Sequence, residues 1–514
     1  MQKAKPKSAR FVDVLCALLL LSFALGIAYP RWRAGIDWRD EGLLAYGAVR
    51  VAQGDIPQRD FVSVQPPLAF YTTAGVFKLF GTSLASLRIF GLSIYLLVPL
   101  LIYGIARSFT GPTLSFAAAA PACILGLPYF GFVPLAIWQG MAASLAAVLF
   151  FIPAALSKQQ WLALPAGLLT AISLFLRHDQ AAYTIISIFT LVVALSFARP
   201  NPISGTNLKR ALLFWLVGIA VVFIPSILVW WKIEALPEMF RQLILFPLTT
   251  YRKTSSLPFP KLIVRRSVLD TAVVLLFYVP PFVQAIAGLY LVQRLVRRRL
   301  GLREAALAFL VAWSALFYLQ VVTRSDQTHL LMTLPPFFLL TAVGWSTVRE
   351  IIADHRILDI ILSTVFAIVV ASFLWILKPV VLPDVTRANE QLTLERGGVR
   401  IEQAGRVADF VQRLQAYVPP TRSILALPYQ PMFYFLCERR NPTRWNYLWP
   451  GDQTARDHER LIEEAERDPP AVVLLSEQHE LAAFAPAIIG YVQAHYIRAD
   501  DGSDLAIYVR PETD

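Results

Sequence analysis

The run IDWRDEGLLAYGAVRVAQG carries Asp37, Asp40 and Glu41 within five positions, about ten residues past the end of a very hydrophobic segment. Carboxylates at that depth lie against a membrane surface, where charge is expensive to desolvate and is usually kept for a purpose. A base at the mouth of a membrane cavity suits chemistry on a substrate that arrives in the lipid. The structural alternative is that Asp40 caps the helix that follows, worth about 1 kcal/mol, while Glu41 favours its dipole. A cap needs only one small polar residue, and an N-cap side chain facing out of the helix end could both cap and catalyse.

Two more clusters have the composition of a site. LFLRHDQ brings Arg177, His178 and Asp179 to the end of an apolar run, and TRSDQTH brings Arg324, Asp326 and His329 to another. Arginine offers bidentate donors to a phosphate, and histidine can donate or take up a proton. Interface anchoring is the plainer reading, above all for Arg177. The segment 232–267 adds Arg241, Tyr251, Arg252, Lys253 and Lys261, as a patch for anionic headgroups or as a cover for substrate. Arg439, Arg440 and Arg444 with Trp445 and Tyr447 could stack on a sugar or serve domain packing. The three cysteines, Cys16, Cys123 and Cys437, show no metal or disulfide spacing.

The elements that must position these residues are membrane helices. Of the 514 residues 56% are hydrophobic and 16% charged, with a mean hydropathy of +0.54, more apolar surface than a soluble chain could hide. The charge of +12 comes mostly from short loops between apolar runs. That is the signature of topology rather than of a nucleic-acid footprint, and no nucleic acid is expected as a partner.

Spans are predicted near 11–29, 84–106, 113–130, 135–155, 161–177, 180–198, 211–231, 268–293, 304–322, 329–347 and 357–377, about eleven in all. With Lys3, Lys5, Lys7 and Arg10 inside, Arg107, Lys158, Arg199, Lys209, Arg210, the arginines at 294 and 297–299, and Arg356 also fall in cytoplasmic loops. The Asp40-Glu41 loop, LFLRHDQ, 232–267 and TRSDQTH then share the opposite face. In the first external loop (30–83), Glu41 to Gln53 reads as a helix capped by Asp40 and stopped by Gly54. PPLAFYTTAGVFKLFG reads as a second interfacial helix, too short to span. After about 378 the apolar runs shrink to strand length (SILALPY, AVVLLS, LAIYVR) and alternate with helical patterns. This predicts a small α/β domain over 379–514, outside the membrane, without a glycine-rich nucleotide loop.

The run WRDEGLLAYGAVRVAQGDIPQRDFVSVQPPLAFY, continued by KLFGTSLASLRI, resembles the amino-terminal region of GT-C glycosyltransferases. It is nearest the bacterial family 39-like group of protein O-mannosyltransferases and lipid A aminoarabinose transferases. The acidic pair, Tyr46, Gly54, Pro57, Asp60-Phe61, the proline pair and Tyr71 follow in the same order. The general architecture covers residues 1–378. The resemblance implies sugar transfer, with inversion, from a polyprenyl-phosphate donor to a glycan, glycolipid or protein acceptor, outside a bacterial cytoplasmic membrane. Asp40 would deprotonate the acceptor and Glu41 would support it. Arg177, His178, Arg324, His329 and Lys253 would bind the donor phosphate, with Asp179, Asp326 and Tyr71 as further candidates. Some GT-C oligosaccharide transferases hold a divalent cation, and Asp40, Glu41, Asp179 and Asp326 could supply oxygen ligands. The relatives nearest in pattern need none, so no cofactor is expected.

Rival readings are a lipid-linked glycan flippase or transporter, a glycan ligase or polymerase, and a glycolipid-binding protein without turnover. Transporters tend to show internal repeats and midplane polar groups. No such repeat is visible here, and the polar residues gather at one face.

Overall fold

In a computed structural model, residues 7–198, 205–262, 267–352, 355–382, 384–499 and 505–511 are described. Lys3, Lys5 and Arg199, counted above as cytoplasmic, lie outside them. The chain is a polytopic helical membrane protein, as expected where every backbone group in lipid must be satisfied within its own segment. Among the described residues ten helices are long and apolar enough to cross: Arg10–Ala28, Leu84–Ala106, Pro112–Phe130, Ala136–Leu156, His178–Phe197, Gly205–Lys232, Val268–Val296, Leu302–Thr323, Gln327–Ile351 and Asp359–Pro379. The span expected at 161–177 is present as a shorter helix, Ala163–Leu176, after a 3-10 turn. Its 14 residues rise only ~21 Å, against a hydrocarbon core of ~30 Å. Pro112–Phe130 is broken into an α-helix and two 3-10 turns, the latter beginning around Pro121 and Pro128, which lack amide donors.

Two compact units divide the chain. One comprises Met1–Trp32, Gly91–Ser226 and Leu257–Asp384; the other comprises Arg33–Phe90, Ile227–Ser256 and Val385–Asp514. The tail from Val385 on thus shares its unit with the first loop and with 227–256.

In the first unit, Ala136–Leu156 packs on Ala163–Leu176, and Leu302–Thr323 packs on both His178–Phe197 and Gln327–Ile351. Small residues permit close approach. A Cβ on Gly167 would fall 2.0 Å from the Trp215 carbonyl oxygen. Two buried indoles find hydroxyl acceptors: Trp215 donates to Thr170 and Trp313 to Thr184, each at 3.1 Å.

In the second unit, strands Ile424–Leu427, Val472–Leu475, Ala506–Val509 and Ile497–Arg498 form a sheet in that spatial order. The first pair is parallel, with Ile424 opposite Val472, and the other pairs are antiparallel. Leu425, Leu427, Val473 and Leu475 meet Leu461, Ile488 and Val492 in one apolar core, confirming the alternating pattern read from the tail. The short helix Met432–Leu436 lies on Asp40–Ala52. Tyr46 stacks on Tyr434 with centroids 4.8 Å apart, and Trp38 meets Phe433 at 5.0 Å. Gly42 permits this approach, since a Cβ there would lie 2.5 Å from the Met432 backbone nitrogen.

Candidate functional site

The acidic pair is split by the helix it opens. Asp40 is the first residue of Asp40–Ala52 and is exposed; Glu41, next in sequence, is wholly buried. Consecutive helical residues lie about 100° apart around the axis, so neighbours readily meet different surroundings. Glu41 receives Arg88 through both carboxylate oxygens, Nη2 to Oε2 at 2.7 Å and Nε to Oε1, and neither side chain is more than 2% exposed. Glu41 Oε2 also accepts the Asp37 amide at 3.1 Å.

The cap expected of Asp40 falls to Asp37. Its Oδ1 accepts the Arg39 and Asp40 amides at 2.9 and 3.2 Å, satisfying donors at the helix start. Gly54 ends the segment with φ +105°, a conformation that favours glycine. Arg88 therefore fixes Glu41, Glu41 fixes Asp37, and Asp37 fixes the backbone that presents Asp40.

In the first unit the two basic clusters repeat one local device. A helix stops at Leu176 and Arg177 is extended; another stops at Thr323 and Arg324 is extended. Each arginine Nε donates to the aspartate two residues on: Arg177 to Asp179 at 2.9 Å, Arg324 to Asp326 at 2.8 Å. Gln320 donates to Asp179 Oδ2 at 2.8 Å, so the two junctions lie at the same end of this unit.

Asp326 also caps Gln327–Ile351 by accepting the His329 amide at 2.8 Å, and it meets His329 Nδ1 at 2.7 Å. Burial raises its pKa, but the hydrogen bond and charge of His329, the His329 amide and Arg324 prevail and hold it at about 2. Around Asp179 several buried polar atoms have no partner among the described residues: His178 Nδ1, both amide atoms of Gln180, and Gln320 Oε1. Such atoms are costly unless water or a polar ligand reaches them.

Lys253 is exposed in the short turn Arg252–Thr254 of the second unit. Tyr71 is 39% exposed; burial of its ring side raises its pKa, with Arg59 and Asp60 as smaller influences. Packing takes up the tail arginines weighed for sugar stacking. Arg439 donates to the carbonyls of Val418, Cys437 and Gln415, Arg440 pairs with Asp468, and Arg444 donates to the carbonyls of Gln58 and Arg59.

Sequence reading missed two partners. Arg88 went unread, because nothing local in the sequence ties it to Glu41. Asp452 also went unread; burial raises its pKa to about 6, against a hydrogen bond from Thr254 Oγ1 at 3.1 Å. Its charge and that of Asp40 both push the half-buried Tyr447 hydroxyl up, after desolvation itself, so the three share a neighbourhood. Among the described residues no three His, Cys, Asp or Glu side chains gather as metal ligands would.

No family model matches the chain, and no curated protein matches it by sequence. Solved structures do match. The archaeal oligosaccharyltransferase AglB from Archaeoglobus fulgidus, in complex with an inhibitory peptide and a dolichol-phosphate, aligns with TM-score 0.54 at 11% identity, over 99% of this chain and 75% of that one. ArnT from Cupriavidus metallidurans, bound to undecaprenyl phosphate, aligns with TM-score 0.54 at 13% identity, over 97% and 98%. The fold is GT-C. In GT-C terms the match to ArnT runs nearly end to end, so the tail unit and the membrane helices both have counterparts in that structure.

Proposed function

We propose that this chain is an inverting glycosyltransferase, taking a sugar from a polyprenyl-phosphate donor to a hydroxyl of a glycan, glycolipid or protein, on the outer face of a bacterial cytoplasmic membrane. The observation that carries this reading is the division of labour at the first loop. Glu41 and Asp37 are committed to structure, while the exposed Asp40 is held at the helix start.

The reaction follows from these roles. Asp40 takes the proton of the acceptor hydroxyl, whose oxygen attacks the anomeric carbon from the face opposite the phosphate. The bond from that carbon to the phosphate oxygen breaks, and its electron pair leaves on the polyprenyl phosphate. A positioned base of this kind commonly contributes about 10²–10⁴-fold. The leaving phosphate is already a weak base, so cations serve it better than a general acid.

Arg177, His178, Arg324, His329 and Lys253 are the proposed cations. Arg177 spends its Nε on Asp179, which orients its remaining donors, and Asp326 on His329 Nδ1 orients the ring so that Nε2 faces a ligand. The polyprenyl-phosphate donor is supported by the dolichol-phosphate and undecaprenyl phosphate held by the two solved structures of this fold.

The test is transfer from radiolabelled polyprenyl-phosphate sugars in membranes carrying wild type or Asp40→Asn. The variant should keep its fold and lose at least ~10²-fold in turnover. Transfer at the wild-type rate in Asp40→Asn would remove Asp40 as the base.

A further inference from the structure

A cavity of about 540 Å³ opens in the first unit where the end of the first membrane helix, the start of Val268–Val296 and the end of Arg356–Val381 come together. Its walls are apolar, with Val268, Leu269, Trp375 and Leu382 among them, yet Arg31 and Lys378 line it too. Val268 is 76% and Trp375 74% exposed. On helices of spanning length such surface faces lipid, and a tryptophan there suits the membrane boundary.

The two cations are held in place and lack acidic partners among the described residues. Arg31 Nη1 donates to the Ile27 carbonyl at 3.0 Å, fixing the guanidinium on a helix end. Its Nε is buried without any hydrogen-bond acceptor. Lys378 lies over the Trp375 ring, 5.2 Å from its centroid. Asp270, the nearest acid along Val268–Val296, is exposed and bonded to Ser267 Oγ at 2.8 Å. Arg31 is half-buried with its Nε unsatisfied, a cost that an anion would relieve, and the exposed Lys378 adds a second positive charge beside the same apolar wall.

We infer that this groove holds an anionic phospholipid of the bilayer, its phosphodiester between Arg31 and Lys378 and an acyl chain along the apolar wall. A free phosphate would answer the cations and leave the walls unused. A zwitterionic lipid would bring its own cation to a site that already has two. The groove is separate from the Arg177 and Arg324 clusters, and its occupancy does not depend on the proposed reaction.

The test uses the full chain in nanodiscs and in detergent, as wild type, Arg31→Gln, Lys378→Gln and the double variant. Retained lipid is read by native mass spectrometry, and thermal stability is read during titration with phosphatidylglycerol, phosphatidylcholine, a polyprenyl monophosphate or inorganic phosphate. Phosphatidylglycerol should be retained and should stabilise the wild type, with affinity roughly fivefold weaker for each lost charge. Inorganic phosphate should do neither. Equal retention of phosphatidylcholine, or unchanged phosphatidylglycerol binding in the double variant, would overturn the inference. Preferential retention of the polyprenyl monophosphate, lost in the double variant, would assign the groove to the donor lipid instead. Each variant's lipid-free melting temperature separates a folding defect from a binding defect.

Discussion

Replacing Arg88 by Met removes the positive charge that meets the buried Glu41 carboxylate, and the outcome can be worked from the geometry. The pair is at most 2% exposed and is joined through both carboxylate oxygens. Breaking a buried pair by deleting one partner costs roughly 3–5 kcal/mol, because the other charge stays buried without compensation. In a unit of this size each kcal/mol moves Tm by about 2–4 °C, so Arg88→Met should melt about 6–20 °C below wild type. Adding Glu41→Leu removes the stranded charge and should recover most of that loss, since two apolar residues of similar volume replace a buried pair nearly neutrally.

Transfer should behave differently. Glu41 also accepts the Asp37 amide, and Asp37 holds the backbone of Asp40, so the double variant should regain Tm while turnover stays low. Intrinsic-fluorescence melting in detergent, with transfer measured on the same preparations, gives both numbers. A drop under 1 kcal/mol for Arg88→Met, or simple additivity in the double variant, would refute the account of a buried, coupled pair. Full transfer in the double variant would refute the positioning chain from Glu41 to Asp40.

Three further outcomes follow from the geometry. Gly42→Ala should cost about 1–3 kcal/mol in melting experiments, because its Cβ would sit 2.5 Å from the Met432 backbone, which cannot swing away as a side chain would. Asp452, whose folded pKa is raised to about 6, favours the fold while protonated. Its contribution should be present below about pH 4, fall by ~1–2 kcal/mol as pH rises to about 6, and vanish in Asp452→Asn when stability is scanned against pH. Asp326 has the opposite sign. With its folded pKa held at about 2, it should contribute up to ~2 kcal/mol above pH 4 and lose it as pH falls towards 2, a loss that Asp326→Asn would not show.

The two-helix layout of the first loop was legible because its signals are local: an acidic pair, a glycine stop, a proline pair and a short apolar run in fixed order. The alternating tail was equally plain, since strand-length apolar runs bounded by turn residues leave few alternatives. The Arg-x-Asp devices at Arg177 and Arg324 were visible as clusters. Their closure on themselves was not, because a charge run does not say whether it points to solvent, to a ligand or to its own neighbour.

Sequence by itself determined where the chain enters lipid, because the cost of burying polar groups in hydrocarbon is summed over one contiguous segment. Tertiary structure alone decided which of two adjacent acids is buried, which aspartate caps the helix, and that the tail packs on the first loop. Glu41 finds Arg88 47 residues away, and Gly42 finds Met432 across most of the chain. Those pairings depend on which helix faces meet, and no local pattern records the partner.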